Sequence, residues 1–190
     1  LDIDLLGREE AFKDIVGGLS KNDIVVLSGL PGVGKTRLAL EVLKKHKEEN
    51  PSFTTKCLRN NGQNIYDDLN IYFNSPGSYL ILIDDANLLT NIQLILDLFS
   101  RKSQGIEIKL ILTVREYAEE KIINFISKYE YEIFKIDSLD KDNIRLLCNR
   151  FEINNSKFIE RIYRISKGNP RLAIMSSSVA KKENKLSSLF

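Results

Sequence analysis

The sequence predicts an α/β fold in which a parallel sheet is covered on both faces by helices and is followed by a small all-helical unit. Three observations carry this. Short aliphatic runs recur through the first 136 residues and are apolar on both faces, as buried parallel strands are. Helical stretches separate these runs. After Ile136 the runs stop and only helical periodicity remains.

In chain order, Ala11, Phe12, Ile15, Val16 and Leu19 recur at helical spacing and predict a short helix ahead of the first strand. Residues 24–27 form a continuous aliphatic run, followed by glycines and a helix with Leu38, Val42 and Leu43 on one side. A weaker strand is expected over about residues 53–58, and two more over 80–83 and 109–114, each of the latter pair followed by a helical stretch. Ile92, Ile95, Leu96 and Phe99 share a face, and residues 131–136 read as the last strand. Ile144, Leu147, Cys148 and Phe151 then mark one helix, Phe158, Ile162 and Ile165 a second, and Leu172, Met175 and Val179 a third. The expected division is a core over residues 1–136 and a helical lid over 137–190, without internal repeats or low-complexity tracts.

Composition narrows the function classes. Hydrophobic residues are 43% and charged residues 28% of 190, an ordinary globular profile with enough chain to bury a core. A net charge of +2 makes no electrostatic case for a nucleic-acid or membrane partner. No apolar run approaches the roughly 20 residues that span a bilayer, and no signal peptide is seen, so a cytoplasmic protein is expected. The chain begins at Leu1 and is read as a piece of something longer. Cys57 and Cys148 fit no metal spacing and are expected as reduced core residues. The single histidine, His46, lies in Lys44-Lys45-His46-Lys47 and reads as the solvated end of a helix, which leaves a zinc site or Ser-His triad little to build on.

Gly29-Leu30-Pro31-Gly32-Val33-Gly34-Lys35-Thr36 matches G-x-x-x-x-G-K-[ST] in full, after a buried strand and before a helix. Glycines let the backbone curl so that successive N–H groups point at phosphates, and the positive end of the following helix adds to this. Lys35 is expected to reach the β- and γ-phosphates and the Thr36 hydroxyl to ligate Mg²⁺. These eight residues and Arg37 are the expected nucleotide contacts. Residues 79–83 form an aliphatic strand that ends in Asp84 and Asp85. Two carboxylates there are costly unless something cationic joins them, and Mg²⁺ is the candidate. Asp84 is then assigned to the metal and Asp85 to orienting or deprotonating the attacking water; the alternative is that the acids open a loop and cap the helix containing Leu88. Thr113 and Arg115 leave the next strand towards the same edge. Arg115 is placed either on a γ-phosphate oxygen or, on the surface, beside Glu116 or Glu119. Gly168-Asn169-Pro170-Arg171 joins two helices, with Gly168 suited to a helix C-terminus and Pro170 to a first turn.

In this order the motifs resemble the nucleotide-binding module of STAND-class NTPases, the signal-transduction branch close to AAA+ proteins, similar to NACHT, NB-ARC and bacterial novel STAND modules. The resemblance covers nearly the whole chain. Leu5-Leu6-Gly7-Arg8-Glu9 is similar to the family's entry motif, which implies nucleotide contacts at Leu6, Gly7 and Arg8. Residues 112–115 resemble the sensor 1 strand, with Arg115 as its arginine. Ser138-Leu139-Asp140 resembles the start of the lid, and Gly168-Asn169-Pro170 the Gly-x-Pro motif whose Pro170 packs near adenine. Arg171 directly follows, where AAA+ initiators carry a sensor 2 arginine that STAND modules usually lack. The resemblance implies an ATP/ADP- and Mg²⁺-dependent ATPase, slow in isolation, that switches conformation and forms homo-oligomers through the full-length protein. In bacteria it also implies antiviral defence. The other readings are a working AAA+ ATPase of the initiator or loader type acting on DNA, which leaves nucleic acid open as a partner, and a small-molecule kinase.

Overall fold

A computed structural model of the chain describes residues 5–59, 66–73, 75–100 and 105–183. Its elements are α1 (Glu9–Lys21), β1 (Ile24–Gly29), α2 (Lys35–Glu49), β2 (Phe53–Arg59), α3 (Tyr66–Tyr72), β3 (Gly77–Asp84), α4 (Ile92–Ser100), β4 (Ile106–Arg115), α5 (Glu119–Ile126), β5 (Tyr131–Lys135), α6 (Lys141–Arg150), α7 (Ser156–Ser166) and α8 (Pro170–Glu183). Contacts divide them into two compact units. One holds the described residues of Ala11–Gly29 and Lys35–Lys135; the other holds residues 5–10, Leu30–Gly34 and residues 136–183.

The sheet unit has five parallel strands in the order β2-β3-β4-β1-β5. The β-branched runs of β1, β3 and β4 occupy the three central positions, and every residue of β1 is buried. Strands with a neighbour on both sides and helices on both faces have nowhere to expose a side chain, which explains the unbroken aliphatic runs. On one face Val26, Ile81, Ile83, Leu110 and Leu112 pack with Leu69 of α3, Ile95 and Phe99 of α4, and Ile122 and Ile126 of α5. The alternating residues Val25, Leu27, Leu80, Leu82 and Ile111 are fully buried as well, with α2 packed on β1 to β4. Burying each such side chain contributes about 2 kcal/mol.

Two expectations are corrected in this unit. Cys57 is exposed, because β2 is an edge strand with only Phe53 buried along it. His46 is half-buried, edge-on to the Phe53 ring at 4.7 Å, and burial depresses its pKa. Cys148 is free and buried, as read from the sequence.

In the helical unit Leu139, Ile144, Leu147, Cys148, Ile153, Ile159, Ile162, Ala173 and Ala180 form the core. Asp140 caps α6 by accepting from the Asn143 N–H at 2.7 Å, and Asn155 caps α7. The face of α8 differs from the sequence reading. Leu172 and Met175 are exposed, and the helix instead buries Ala173, Ser177 and Ala180. Small residues let helices approach closely, and Ser177 sits 3.8 Å from the Cys148 sulfur. Phe158 and Ile165 are likewise more than a third exposed, while Ile159 and Ile162 face inward.

The α7–α8 corner turns through two left-handed residues, Lys167 (φ 49°) and Gly168 (φ 78°). The Gly168 carbonyl accepts from the Leu139 N–H at 2.8 Å, so a Cβ at Gly168 would stand 2.2 Å from the Leu139 oxygen. Gly168→Ala is expected to destabilise the protein by about 2–4 kcal/mol. Gly17→Ala, inside α1 where a Cβ meets nothing within 4 Å, is expected to stabilise it by roughly 0.5–1 kcal/mol. Urea unfolding midpoints moving in opposite directions check both.

Candidate nucleotide-binding site

Four strands of the sheet unit end side by side. β4 lies between β1 and β3, and the register pairs Gly29 with Arg115 and Arg59 with Asp84. Thr113 and Arg115 therefore leave the sheet between the glycine that opens the phosphate loop and the acid pair. The carboxyl edge is where an open parallel sheet receives ligands.

Lys35 opens α2 and is only 7% exposed. Its Nζ donates to the Gly29 carbonyl at 2.8 Å, which braces the ammonium beneath the start of the loop. Burial pulls its pKa below the ordinary lysine value, while Asp85 and Asp84 oppose that shift and Arg115 adds to it. The Thr36 hydroxyl donates to Asp84 Oδ1 at 2.6 Å, and the Thr113 hydroxyl donates to the same oxygen at 2.8 Å. Thr113 Oγ1 also accepts from the Asp85 N–H at 2.8 Å, so one hydroxyl ties the carboxylate of one acid to the backbone of the next. The other oxygen of Asp84, Oδ2, faces Arg59 Nε at 3.4 Å.

Asp85 adopts the left-handed conformation (φ 47°, ψ 51°) and makes no side-chain cap hydrogen bond to the 3₁₀ turn Ala86–Leu88. The capping alternative for this acid is thus not realised. Its carboxylate instead receives Arg115 Nε at 3.5 Å, and that bond and charge raise the guanidinium pKa. Arg115 is paired with neither of the two glutamates considered from the sequence; Glu119 faces Lys135. Arg37 pairs with Glu41, one helical turn on, at 3.0 Å.

Two members of this cluster escaped the sequence reading. Arg59 shares a register position with Asp84 on a neighbouring strand, a relation visible only once the strand order is known. Asn87 accepts from the Arg115 N–H at 3.2 Å and donates to the Tyr117 hydroxyl at 3.2 Å, anchoring the exit of β4.

The donor set fits Mg²⁺. A hydroxyl and a carboxylate are hard oxygen ligands, and Mg²⁺ takes few protein ligands, filling the rest of its shell with phosphate and water. No cluster of three His, Cys, Asp or Glu that could cage a metal occurs among the described residues. Thr36 and Asp84 are the residues that would hold it.

In the helical unit the tip of the loop, Leu30–Gly34, meets the entry segment and the start of α8. Leu6 packs on the hydrophobic cluster of this unit. Gly7 turns with φ 64° directly beside the Asn143 side chain. Arg8 Nη2 donates to the Val33 carbonyl at 3.1 Å and also to the Asp137 carbonyl, and its burial lowers its pKa. Asn169 Nδ2 donates to the Pro31 carbonyl at 2.8 Å. Pro170 is the first residue of α8, and the Arg171 N–H donates to the Gly32 carbonyl at 3.4 Å while its side chain is exposed.

A glycine loop between a buried parallel strand and a helix, with a buried lysine and a threonine bonded to a strand-end aspartate, defines a P-loop NTPase. The family model of Novel STAND NTPase 3 matches residues 8–150, and the chain belongs to this family. Among solved structures it is similar to a variant of RuvB from Thermotoga maritima (TM-score 0.67, 19% identity, 93% of this chain and 62% of that one). It is also similar to Orc1 of Aeropyrum pernix in complex with DNA (TM-score 0.70, 14% identity, 97% and 63%). A Walker-type ATPase of Pyrococcus abyssi matches with TM-score 0.70 and 14% identity over 96% and 69%. These likenesses concern the fold, and the chain spans less than two thirds of the length of the RuvB and Orc1 chains. No curated protein matches the chain. No helix among the described residues is long and apolar enough to cross a membrane.

Proposed function

We propose that this chain is the ATP-binding and ATP-hydrolysing module of a STAND-type signalling switch, whose nucleotide state controls conformation and homo-oligomer formation of the full-length cytoplasmic protein. The observation that supports it most is the convergence of Lys35, Thr36, Asp84, Thr113, Asp85 and Arg115 at one edge of the sheet. In this reading residues 1–136 form the NTPase core and 137–190 the nucleotide-responsive lid. Lys35 neutralises the β- and γ-phosphates, and Thr36 and Asp84 hold Mg²⁺, which when bound withdraws charge from the phosphate oxygens. Arg115 leaves Asp85 for the γ-phosphate, and the freed Asp85 carboxylate accepts the proton of the attacking water. The two side chains face each other at 3.5 Å, so an arginine drawn to a γ-phosphate leaves the Asp85 carboxylate open to the water.

The switch is tested by purifying the chain and following nucleotide. Co-purified ADP that exchanges slowly is the expected result. Rapid steady turnover stimulated by DNA would instead favour an initiator or loader type of ATPase.

Arg171 follows the proposed adenine-facing Pro170, and its long stem suits a γ-phosphate sensor. Arg171→Ala is expected to weaken ATP binding or turnover while ADP affinity is kept. The backbone N–H that meets Gly32 survives this change, so equal ATP values for variant and parent would reject the sensor role without ambiguity.

A further inference from the structure

We infer that Arg8 and Asn169 are positioning residues that set the phosphate loop in its anion-receiving form from its outer side, without touching the nucleotide. The inference rests on the phosphate-binding reading of residues 29–36.

Three consecutive carbonyls at the tip of the loop are each engaged. Pro31 accepts from Asn169 Nδ2 at 2.8 Å, Gly32 from the Arg171 N–H at 3.4 Å and Val33 from Arg8 Nη2 at 3.1 Å. In a trans peptide the C=O and the following N–H point in opposite directions. Fixing these three carbonyls outward therefore aims the N–H groups of Gly32, Val33 and Gly34 the other way, as a phosphate-binding nest requires. A donor on the carbonyl also polarises its peptide and strengthens the opposite N–H as a donor, most of all when the donor is charged, as Arg8 is.

The clasp is held rigidly on its own side. Asn169 Oδ1 accepts from the Leu172 N–H at 3.2 Å, so one atom of the amide caps α8 while the other grips the loop. That bond also assigns which end of the amide is nitrogen, since the reverse orientation would set its NH₂ against an N–H. Arg8 Nη2 is shared with the Asp137 carbonyl, which limits its swing. The approach is close at the centre too. A Cβ on Gly32 (φ 82°) would lie 2.8 Å from Asn169 Oδ1 and 3.2 Å from the Arg171 Cβ. Gly32 is thus required by what stands outside the loop as well as by the phosphates inside it.

Two other roles compete, namely adenine contact by Arg8 and plain helix capping by Asn169. Both are separable. Inorganic tripolyphosphate has no adenine, and Asn169→Ser and Asn169→Asp keep a good cap while losing the donor to Pro31. The experiment titrates Mg²⁺-tripolyphosphate and Mg²⁺-ADP against parent, Asn169→Ser, Asn169→Asp and Arg8→Ala, with a urea unfolding midpoint for each. In Asn169→Ser both ligands are expected to weaken by the same factor, about tenfold, at an unchanged midpoint. Arg8→Ala is expected to lose tripolyphosphate by at least as much. Unchanged tripolyphosphate affinity in Asn169→Ser, or a loss confined to Asn169→Asp, where the added charge alone explains it, would overturn the inference. So would an Arg8→Ala protein that loses ADP but keeps tripolyphosphate. A parent that binds ADP but not tripolyphosphate overturns it alone, because a preset loop must take phosphates without the nucleoside. A parent that binds neither removes the phosphate-loop reading itself.

Discussion

Lys35→Ala is expected to lower ATP affinity by about a hundredfold or more, measured by titrating a fluorescent ATP analogue in Mg²⁺. Charge-assisted hydrogen bonds to phosphate contribute about 1.5–3 kcal/mol each, and this ammonium is placed to make more than one. The loss has a second source. The same ammonium bonds the Gly29 carbonyl at 2.8 Å, so truncation also frees the first turn of the loop. Lys35→Arg is not expected to rescue binding, because a side chain 7% exposed has no room for a planar fork. Lys45→Ala, which removes an exposed lysine paired with Glu49 one turn along at 2.9 Å, serves as the control. An unchanged dissociation constant in Lys35→Ala would remove the phosphate-loop assignment.

Asp85→Asn is expected to keep ATP binding and lose hydrolysis by about 10²–10⁴-fold, the range of a lost general base. The amide is isosteric and leaves the Asp85 N–H on Thr113 in place, so the geometry of the strand end persists. Asp84→Asn is expected to act differently, by raising the Mg²⁺ concentration needed for nucleotide binding. Its Oδ1 accepts from Thr36 and Thr113 together, and an amide oxygen retains those bonds while the metal-attracting charge is gone. Single-turnover hydrolysis and Mg²⁺ titration of both variants separate the roles. Normal hydrolysis by Asp85→Asn would show that another group prepares the water.

Much of this was legible in the sequence, because local physics dictated it. Unbroken aliphatic runs mark strands covered on both faces, so the three central strands β1, β3 and β4 lie where the runs are, while the edge strands β2 and β5 carry mixed sequences and a weaker signal. The phosphate loop was legible because its glycines, lysine and threonine act through their own backbone and spacing. What escaped depends on partners distant in sequence. α3 is seven residues long, too short for a helical period to stand out, and its Leu69 and the adjacent Phe73 lie in the core. The buried face of α8 was misread because helix packing there selects small side chains over large ones. Arg59 and Asn87, and the bond from Asn169 to the loop, became visible only through the strand order and the contacts that set these residues beside Asp84, Arg115 and Pro31.

The position of β1 in the sheet bears on how the protein comes to be folded. Its hydrogen-bonding neighbours are β4 and β5, so Ile24 waits for Leu110 and Tyr131, while β2 and β3 pair across a far shorter stretch, Phe53 with Ser78. During synthesis β1 has no strand to join until Leu110, far along the chain from Ile24, has left the ribosome. Closing so long a loop before any contact rewards it is slow, and the aliphatic strand stays open to wrong pairings in the meantime. Thr113 and Arg115, which complete the cluster at the strand ends, come into place with that pairing. On the proposed reading, nucleotide would then stabilise a sheet whose central strands are already paired, without guiding the first pairings.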